Sequence, residues 1–362
     1  MATGSDLHIA VLPGDGIGIE VMDACLELLQ ALAQRTGLQF HWNRLSGGAG
    51  AYRDTGTAFT DEAMRECERA DAILFGAMGL PDVRYPDGTE IAPQLELRVH
   101  LELYAGVRPI RALPGLPGPL RDPRADEIDF VILREQTEGL YWSRGRGVMQ
   151  DADTAVDTMR ITREGCERVF EYAFRLARRR RSQGHPGRVT CVDKSGVLLS
   201  QAFMRRVFAS VAAKVPDIAA DYCNIDAMAL NLVRQPWGYD VMVTENMFGD
   251  ILSDLGAGLI GGMGLAPSGD IGERHALFQP CHGTAPDIAG SGKANPTAMF
   301  LSAAMMLDWL GERHGDPKLS EAARALEDAV AAVFRERLVR PFEFGGSSGT
   351  REITQSVLTQ LT

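Results

Sequence analysis

The sequence has no CxxC pair, no apolar stretch long enough to span a bilayer, and no excess of basic residues. Its six cysteines (Cys25, Cys67, Cys166, Cys191, Cys223, Cys281) are scattered singly through 362 residues. That excludes a zinc ribbon or a disulfide framework and fits the reduced thiols of a cytosolic protein. Without a membrane span, and with no basic segment ahead of an apolar core in MATGSDLHIAVLPG, neither a membrane protein nor a signal peptide is expected, and the location is cytoplasmic by default. A net charge of −11 excludes a non-specific binder of nucleic acid or of an anionic membrane, since either needs a basic face. GxGxxG is also missing. The turn after the first apolar run spaces its glycines as Gly14, Gly16 and Gly18, so the Rossmann fingerprint does not apply. What is present is ordinary: 45% hydrophobic and 23% charged residues, the balance of a globular protein long enough for two lobes.

Period and punctuation predict alternating strands and helices, the pattern of a layered α/β protein. Strands are expected at residues 7–12, 72–75, 129–133, 188–192 and 240–244, those at 72–75 and 240–244 buried, with extended segments at 221–225 and from residue 106. Helices are expected after the first strand, where Val21, Cys25, Leu28, Leu29 and Leu32 share a face, and at residues 96–104, 164–181, 227–233, 296–310 and 319–334, with another carrying Phe203, Val207 and Val211. The Pro- and Gly-rich tract at residues 112–126 reads as a surface connection between lobes. Four consecutive arginines, 178–181, are explained by the macrodipole at a helix C-terminus. The stretch 345–350 reads as a surface turn.

The chain is organised around residues 239–255, YDVMVTENMFGDILSDL. A short strand there gives way to a helix with Ile251, Leu252, Leu255 and Leu259 at helical spacing. Asp250 and Asp254 are one turn apart, with Cβ atoms roughly 5–6 Å from each other on one face. Two acids where a strand's carboxyl end meets a helix could share one hard cation, because Mg²⁺ and Mn²⁺ take oxygen ligands. The alternative is that Asp250 caps the helix and Asp254 is a solvated surface acid. Arg98, Arg108, Arg134, Tyr141, Lys194 and Asp226 complete the candidate set, several of them just after a strand ends, where open α/β sheets place ligands. Each has a plainer reading: surface helix charges for Arg98 and Arg108, a half-buried core aromatic for Tyr141, an exposed amine for Lys194. Together, planar guanidinium forks suited to carboxylates, with a lysine, a tyrosine and the aspartates, describe a site for a dicarboxylic acid and a divalent metal.

The motifs LPGDGIG (12–18), LRVHLELYAGVRP (97–109), REQTEGLY (134–141), DKSGVL (193–198), IDAMAL (225–230), NMFGDILSDL (246–255), HGTAPDIAG (282–290) and ANPTA (294–298) resemble those of the β-decarboxylating dehydrogenases. This family covers isopropylmalate, isocitrate, homoisocitrate, tartrate and D-malate dehydrogenases, and the texture is closest to the isopropylmalate and tartrate branches. The resemblance implies an isocitrate/isopropylmalate dehydrogenase-like fold, with two lobes around a large mixed twisted sheet. Residues 1–108 and 261–362 would form the cofactor-binding lobe, and 109–260 the metal, substrate and dimerisation lobe.

It also implies the chemistry. Arg98, Arg108 and Arg134 would clamp the carboxylates of a 2R-hydroxy acid of the malate type. Asp250 and Asp254, with Asp226 of the partner subunit, would hold Mg²⁺ or Mn²⁺; the partner's Lys194 would act as general base, with Asp226 close by; Tyr141 would protonate the enol left by loss of CO₂. Hydride would pass to NAD⁺, bound by His282, Gly283, Thr284, Ala285, Asp287, Ile288 and Asn295. Asp287-Ile288 stands where NADP-using relatives carry Lys followed by Tyr, so NAD is expected. A homodimer with shared active sites follows. The alternatives are an isocitrate-type substrate or a non-catalytic regulatory paralogue.

The sequence departs from the pattern at Ile19, where many relatives have Pro, at Cys281, and at Gln279, where Glu is usual. By the family pattern the turn before Arg98 would read the group on the substrate's third carbon; here it carries Ile91, Ala92, Gln94 and Leu95. Isopropylmalate enzymes have Leu at the position of Gln94, and a buried unpaired amide there would cost roughly 1–3 kcal/mol. A small or polar-substituted malate such as D-malate or tartrate fits at least as well as isopropylmalate.

Overall fold

A computed structural model describes residues 6–361. Residues 1–5, part of the stretch read above for a leader, and residue 362 lie outside it. Near-continuous apolar runs become strands buried on both faces, as parallel pairing requires. In β1 (Asp6–Gly14) the side chains of Leu7, Ile9, Val11 and Leu12 are buried. α1 (Ile17–Thr36) buries the expected face of Val21, Cys25, Leu28, Leu29 and Leu32 and ends on Gly37 at φ +72°, the left-handed stop that glycine favours. There follow β2 (Gln39–Arg44), α2 (Ala49–Thr55), α3 (Asp61–Arg69), β3 (Ala72–Ala77), α4 (Pro93–His100), β4 (Ala105–Arg111) and β5 (Asp129–Glu135). Next come β6 (Val148–Asp151), β7 (Thr154–Val156), α5 (Arg163–Ser182), β8 (Arg188–Asp193), α6 (Leu199–Ala212), β9 (Ala219–Asn224) and α7 (Ile225–Arg234). β10 (Val241–Thr244), α8 (Asn246–Leu259), β11 (Pro267–Ile271), β12 (Ala276–Pro280), α9 (Thr297–His314), α10 (Pro317–Arg335) and α11 (Thr350–Gln360) close the chain.

The chain forms two compact units: Met1–Leu101 with Leu113–Pro117 and Gly261–Thr362, and Glu102–Ala112 with Gly118–Ile260. In the first, strands run in the order β2-β1-β3-β12-β11, parallel except for the antiparallel β11/β12 pair. In the second they run β4-β5-β10-β8-β9, parallel except for β4/β5. A first boundary after residue 108 is corrected, because β4 pairs with β5 from Ala105 to Arg111 and belongs whole to the second unit.

Other expectations also shift. The helix read over 96–104 is α4, and it ends before Glu102, whose φ of +51° leaves the helical region. β2, α2, α3, β11, β12, the exposed β6/β7 hairpin and α11 were not anticipated. The arginine run is more than a macrodipole device. Arg180 is buried, its Nε donating to Asp240 Oδ1 at 2.5 Å and its Nη2 to Asp129 Oδ1 at 3.0 Å, while Arg178 pairs with exposed Asp217. All six cysteines are free thiols. Among the described residues no helix is long and apolar enough to cross a membrane.

Candidate active site

The second unit lines up its candidate residues at the carboxyl ends of neighbouring parallel strands. Thr244, the last residue of β10, pairs with Arg134 on β5 and with Val192 on β8. Lys194 therefore follows directly from β8, and Asp226 stands in the first turn of α7 after β9. This is where an open parallel sheet leaves room for a ligand.

α8 starts at Asn246, and its N-terminus is capped by Glu245, whose carboxylate accepts from Phe248 N at 2.8 Å and Met247 N at 3.1 Å. The capping reading of Asp250 is thus displaced by Glu245, and Asp250 is left for other work. Its Oδ2 accepts the Tyr141 hydroxyl at 2.8 Å, and its Oδ1 accepts from Arg134 Nη1. Arg134 is itself buried and fixed by an Nε bond of 2.8 Å to Asn246 Oδ1, with its guanidinium 5.4 Å from the centre of the Tyr141 ring. Gly249 permits this approach: a Cβ there would stand 2.7 Å from Arg134 Cβ. Burial and the charge of Asp250 raise the Asp254 pKa, with Arg108 and Arg134 opposing. Burial first, then the bond to Asp250, pushes Tyr141 up to about 12, so its phenol keeps its proton at neutral pH.

Arg108 is buried, not a surface charge, and its Nη2 donates to Gln136 Oε1 at 3.3 Å. Gln136 was not singled out from sequence. It is held against Gly106, where a Cβ would lie 2.6 Å from its Cδ, and its Nε2 is buried with no hydrogen-bond partner. Lys194 Nζ donates to Asp226 Oδ1, a partly exposed pair that holds the Asp226 carboxyl below its ordinary range. One chain thus gathers Arg108, Arg134, Tyr141, Asp250 and Asp254 in one cluster, and Lys194 with Asp226 in another.

In the first unit Arg98, on α4, is buried and its Nε donates to Asp270 Oδ2 at 2.8 Å. Asp270, a fully buried acid on β11, also accepts from Gln279 Nε2 at 3.2 Å. An amide at 279 therefore has a physical reason: it donates to a carboxylate, where a glutamate would repel it. Ile91 is fully buried in a core cluster with Ala49 and Ala58. Leu95 is partly buried, and the Gln94 Oε1 atom is buried without a hydrogen-bond partner.

The loop that follows β12 packs on the first turn of the chain: Ile17 N donates to Thr284 O at 2.8 Å, and Gly16 leaves no room for a Cβ beside that carbonyl. Asp15, missed from sequence, is buried and accepts from Ala49, Gly50 and Gly79 N at 2.7–2.9 Å. Ala285 is held at φ +36°, a conformation a side chain resists unless the surroundings impose it. His282 Nδ1 lies 2.9 Å from Gly283 O and must donate to it. Burial lowers the His282 pKa, so Nε2 is a neutral acceptor, and it is buried with no partner. Gly283 and Asp287 are exposed, and Ile288 is partly so. Asn295 is committed to the fold: its Oδ1 accepts from Thr297 N and Oγ1 at the start of α9, and its Nδ2 donates to Glu343 at 2.5 Å. An open pocket beside the loop is lined by Tyr52, Arg53, Leu80, Val83, Arg84 and Pro286, among others.

The family model for isocitrate/isopropylmalate dehydrogenase matches residues 8–357. The 3-isopropylmalate/3-methylmalate dehydrogenase of Methanocaldococcus jannaschii is 42% identical over 96% of this chain and 97% of its own. The 3-isopropylmalate dehydrogenase of Moorella thermoacetica is 39% identical over 98% of each. Among solved structures, the isocitrate dehydrogenase of Methylococcus capsulatus superposes with a TM-score of 0.86 at 35% identity, covering 98% of this chain and 99% of that one. The β-decarboxylating dehydrogenase of Thermococcus kodakarensis gives 0.77 at 34% identity, covering 98% and 96%. The expected fold class and the expected enzyme class both hold: this chain is a dehydrogenase of α/β fold that belongs to the isocitrate/isopropylmalate dehydrogenase family.

Proposed function

We propose that the enzyme oxidatively decarboxylates a 2R-hydroxy acid of the malate type, using NAD and Mg²⁺ or Mn²⁺. The observation that carries this reading is the cluster of Asp250 and Asp254 beside a buried arginine and a proton-bearing tyrosine. The donor set fits a hard dication: two carboxylates one turn apart, with the Asp254 pKa raised by burial first and then by the charge of Asp250, offer the oxygen ligands such an ion takes. The buried, unpartnered His282 Nε2 acceptor and Gln136 Nε2 donor fit a bound cofactor and a bound acid respectively, since buried polar atoms in native proteins find partners.

Asp250 and Asp254 would hold the cation with Asp226 of the partner subunit; His282, Gly283, Thr284, Ala285, Asp287, Ile288 and Asn295 form the cofactor loop and its neighbour. When bound, the cation supplies Lewis-acid polarisation and NAD accepts the hydride. Arg98, Arg108 and Arg134 hold the substrate's carboxylates, and burial strengthens each of those contacts. The partner's Lys194 takes the hydroxyl proton. Tyr141 then gives its proton to the carbon from which CO₂ has left. Asp287 would accept hydrogen bonds from the ribose hydroxyls and would repel a 2′-phosphate. The relatives' names point to malates substituted at the third carbon, and the orphaned Gln94 Oε1 favours a substituent able to donate, as tartrate can.

Dimerisation is supported by apolar side chains left in solvent on the second unit, among them Val148, Met149, Val197, Leu199, Leu230 and Ile251. The β6/β7 hairpin is also exposed, and a two-stranded hairpin is marginal on its own. The test is NADH and CO₂ release with Mn²⁺ from 3-isopropylmalate, D-malate, tartrate and isocitrate, with NAD and with NADP. Equal NADH and CO₂ from a malate, with NAD preferred, is expected. NADH without CO₂ would refute decarboxylation, and no turnover on any substrate would make the chain a regulatory paralogue.

A further inference from the structure

The first unit gathers a second set of ligating side chains at the amino end of its sheet. Asp6 and His8 are two residues apart on β1, so they leave the same face of the strand. His41 on β2 stands directly opposite His8 in the parallel register. β2 is the edge strand, and all three residues are exposed. One carboxylate oxygen and one nitrogen from each imidazole lie within 4.8 Å of one another. His41 Nε2 is 2.5 Å from Asp6 Oδ1, and the two imidazoles stack with centroids 4.8 Å apart and planes 19° from parallel. The backbone beneath is firm: six residues of β1 pair with β2, and His8 N donates to Asp71 Oδ2 at 2.8 Å.

We propose that Asp6, His8 and His41 bind one borderline transition-metal dication of the Zn²⁺, Ni²⁺ or Cu²⁺ type. Two imidazoles and one carboxylate are ligands these ions accept at about 2.0–2.2 Å, with water filling the open positions. Mg²⁺ prefers a shell of oxygens alone, so the chemistry separates this site from the acids of α8. The approach from 4.8 Å to a shared ion needs only rotation of exposed side chains on fixed strands. Because the ligands come from two strands, only the folded chain presents all three, and the ion staples the edge strand to its neighbour.

The test is a calorimetric titration of the whole protein with Zn²⁺ in excess Mg²⁺. One Zn²⁺ per chain is expected, retained in Asp250→Asn, with His8→Asn and His41→Asn each weakening it at least roughly tenfold, since losing a ligand costs no less than losing one of the outer-shell partners that orient it. Zn²⁺ should raise the melting temperature of the wild type and not of these variants, whose metal-free melting should match the wild type because the positions are exposed. Anomalous scattering from Zn²⁺-soaked wild-type crystals should place the ion between the three side chains. Equal Zn²⁺ affinity in His41→Asn, displacement by Mg²⁺, or an ion located elsewhere would overturn the proposal.

Discussion

Replacing Asp270 by Asn tests how the first unit holds Arg98. The Asp270 side chain is fully buried and that of Arg98 is 8% exposed. The carboxylate oxygen that accepts Arg98 Nε also accepts Gln279 Nε2. An Asn of the same shape removes the charge and leaves a guanidinium buried without its counter-ion, a loss of about 3–5 kcal/mol. At about 2–4 °C per kcal/mol for a unit of this size, its melting transition should fall by roughly 6–20 °C. The assay is calorimetry supported by urea unfolding. Arg98→Met with Asp270→Leu should recover most of the stability, because apolar residues of similar volume replace buried ion pairs at little cost. That double variant should not recover activity, since Arg98 is lost. A fall below about 1 kcal/mol for Asp270→Asn, the worth of an exposed pair, or a double variant no more stable than the single one, would refute the reasoning.

Tyr141 has a folded pKa raised to about 12 against about 10 unfolded. Above pH 10 the unfolded chain releases this proton first, so the contribution is present below pH 10 and is lost as pH rises from 10 to 12. Phenolate absorbance should show a late-titrating tyrosine that is lost in Tyr141→Phe; no change in the late titration on that substitution would contradict the burial of Tyr141 and its bond to Asp250. Gly139, at φ +76° with Glu245 Oε2 only 2.4 Å from where a Cβ would stand, should not tolerate alanine. Gly139→Ala should destabilise the second unit by about 1–3 kcal/mol, read by urea unfolding, and an unchanged midpoint would refute the fit. Gln94→Leu should shift preference toward 3-isopropylmalate over tartrate by roughly 10–200-fold in kcat/KM; an unchanged ranking would place the specificity turn elsewhere.

Strands buried on both faces were legible because their apolar runs have no other use: residues 129–133 were expected as a strand and lie in β5. β2 alternates only weakly and keeps an exposed edge, and β11 reads as PSGDI, so neither carries the signal. α11 lies behind a Gly-rich turn and packs on α1 and α10, contacts remote in sequence. The site's acids were legible from spacing, since one helical turn separates Asp250 and Asp254. What spacing hides is burial. Asp15, Asp270 and Glu245 look like any surface acid until the fold supplies their donors, and neither the packing of Ile91 nor the hydrogen bonds that hold Asn295 show in the sequence. Arg180 is the same lesson: four like charges in a row do not reveal which one turns inward toward Asp240.

The most direct test of the central claim is binding of Mn²⁺ to the purified protein, followed by the loss of the free-ion paramagnetic signal. Saturable binding is expected in the wild type and is abolished in Asp250→Asn and Asp254→Asn with the fold intact. Mn²⁺ bound equally well by both variants, or full turnover in the presence of a chelator, would contradict that claim.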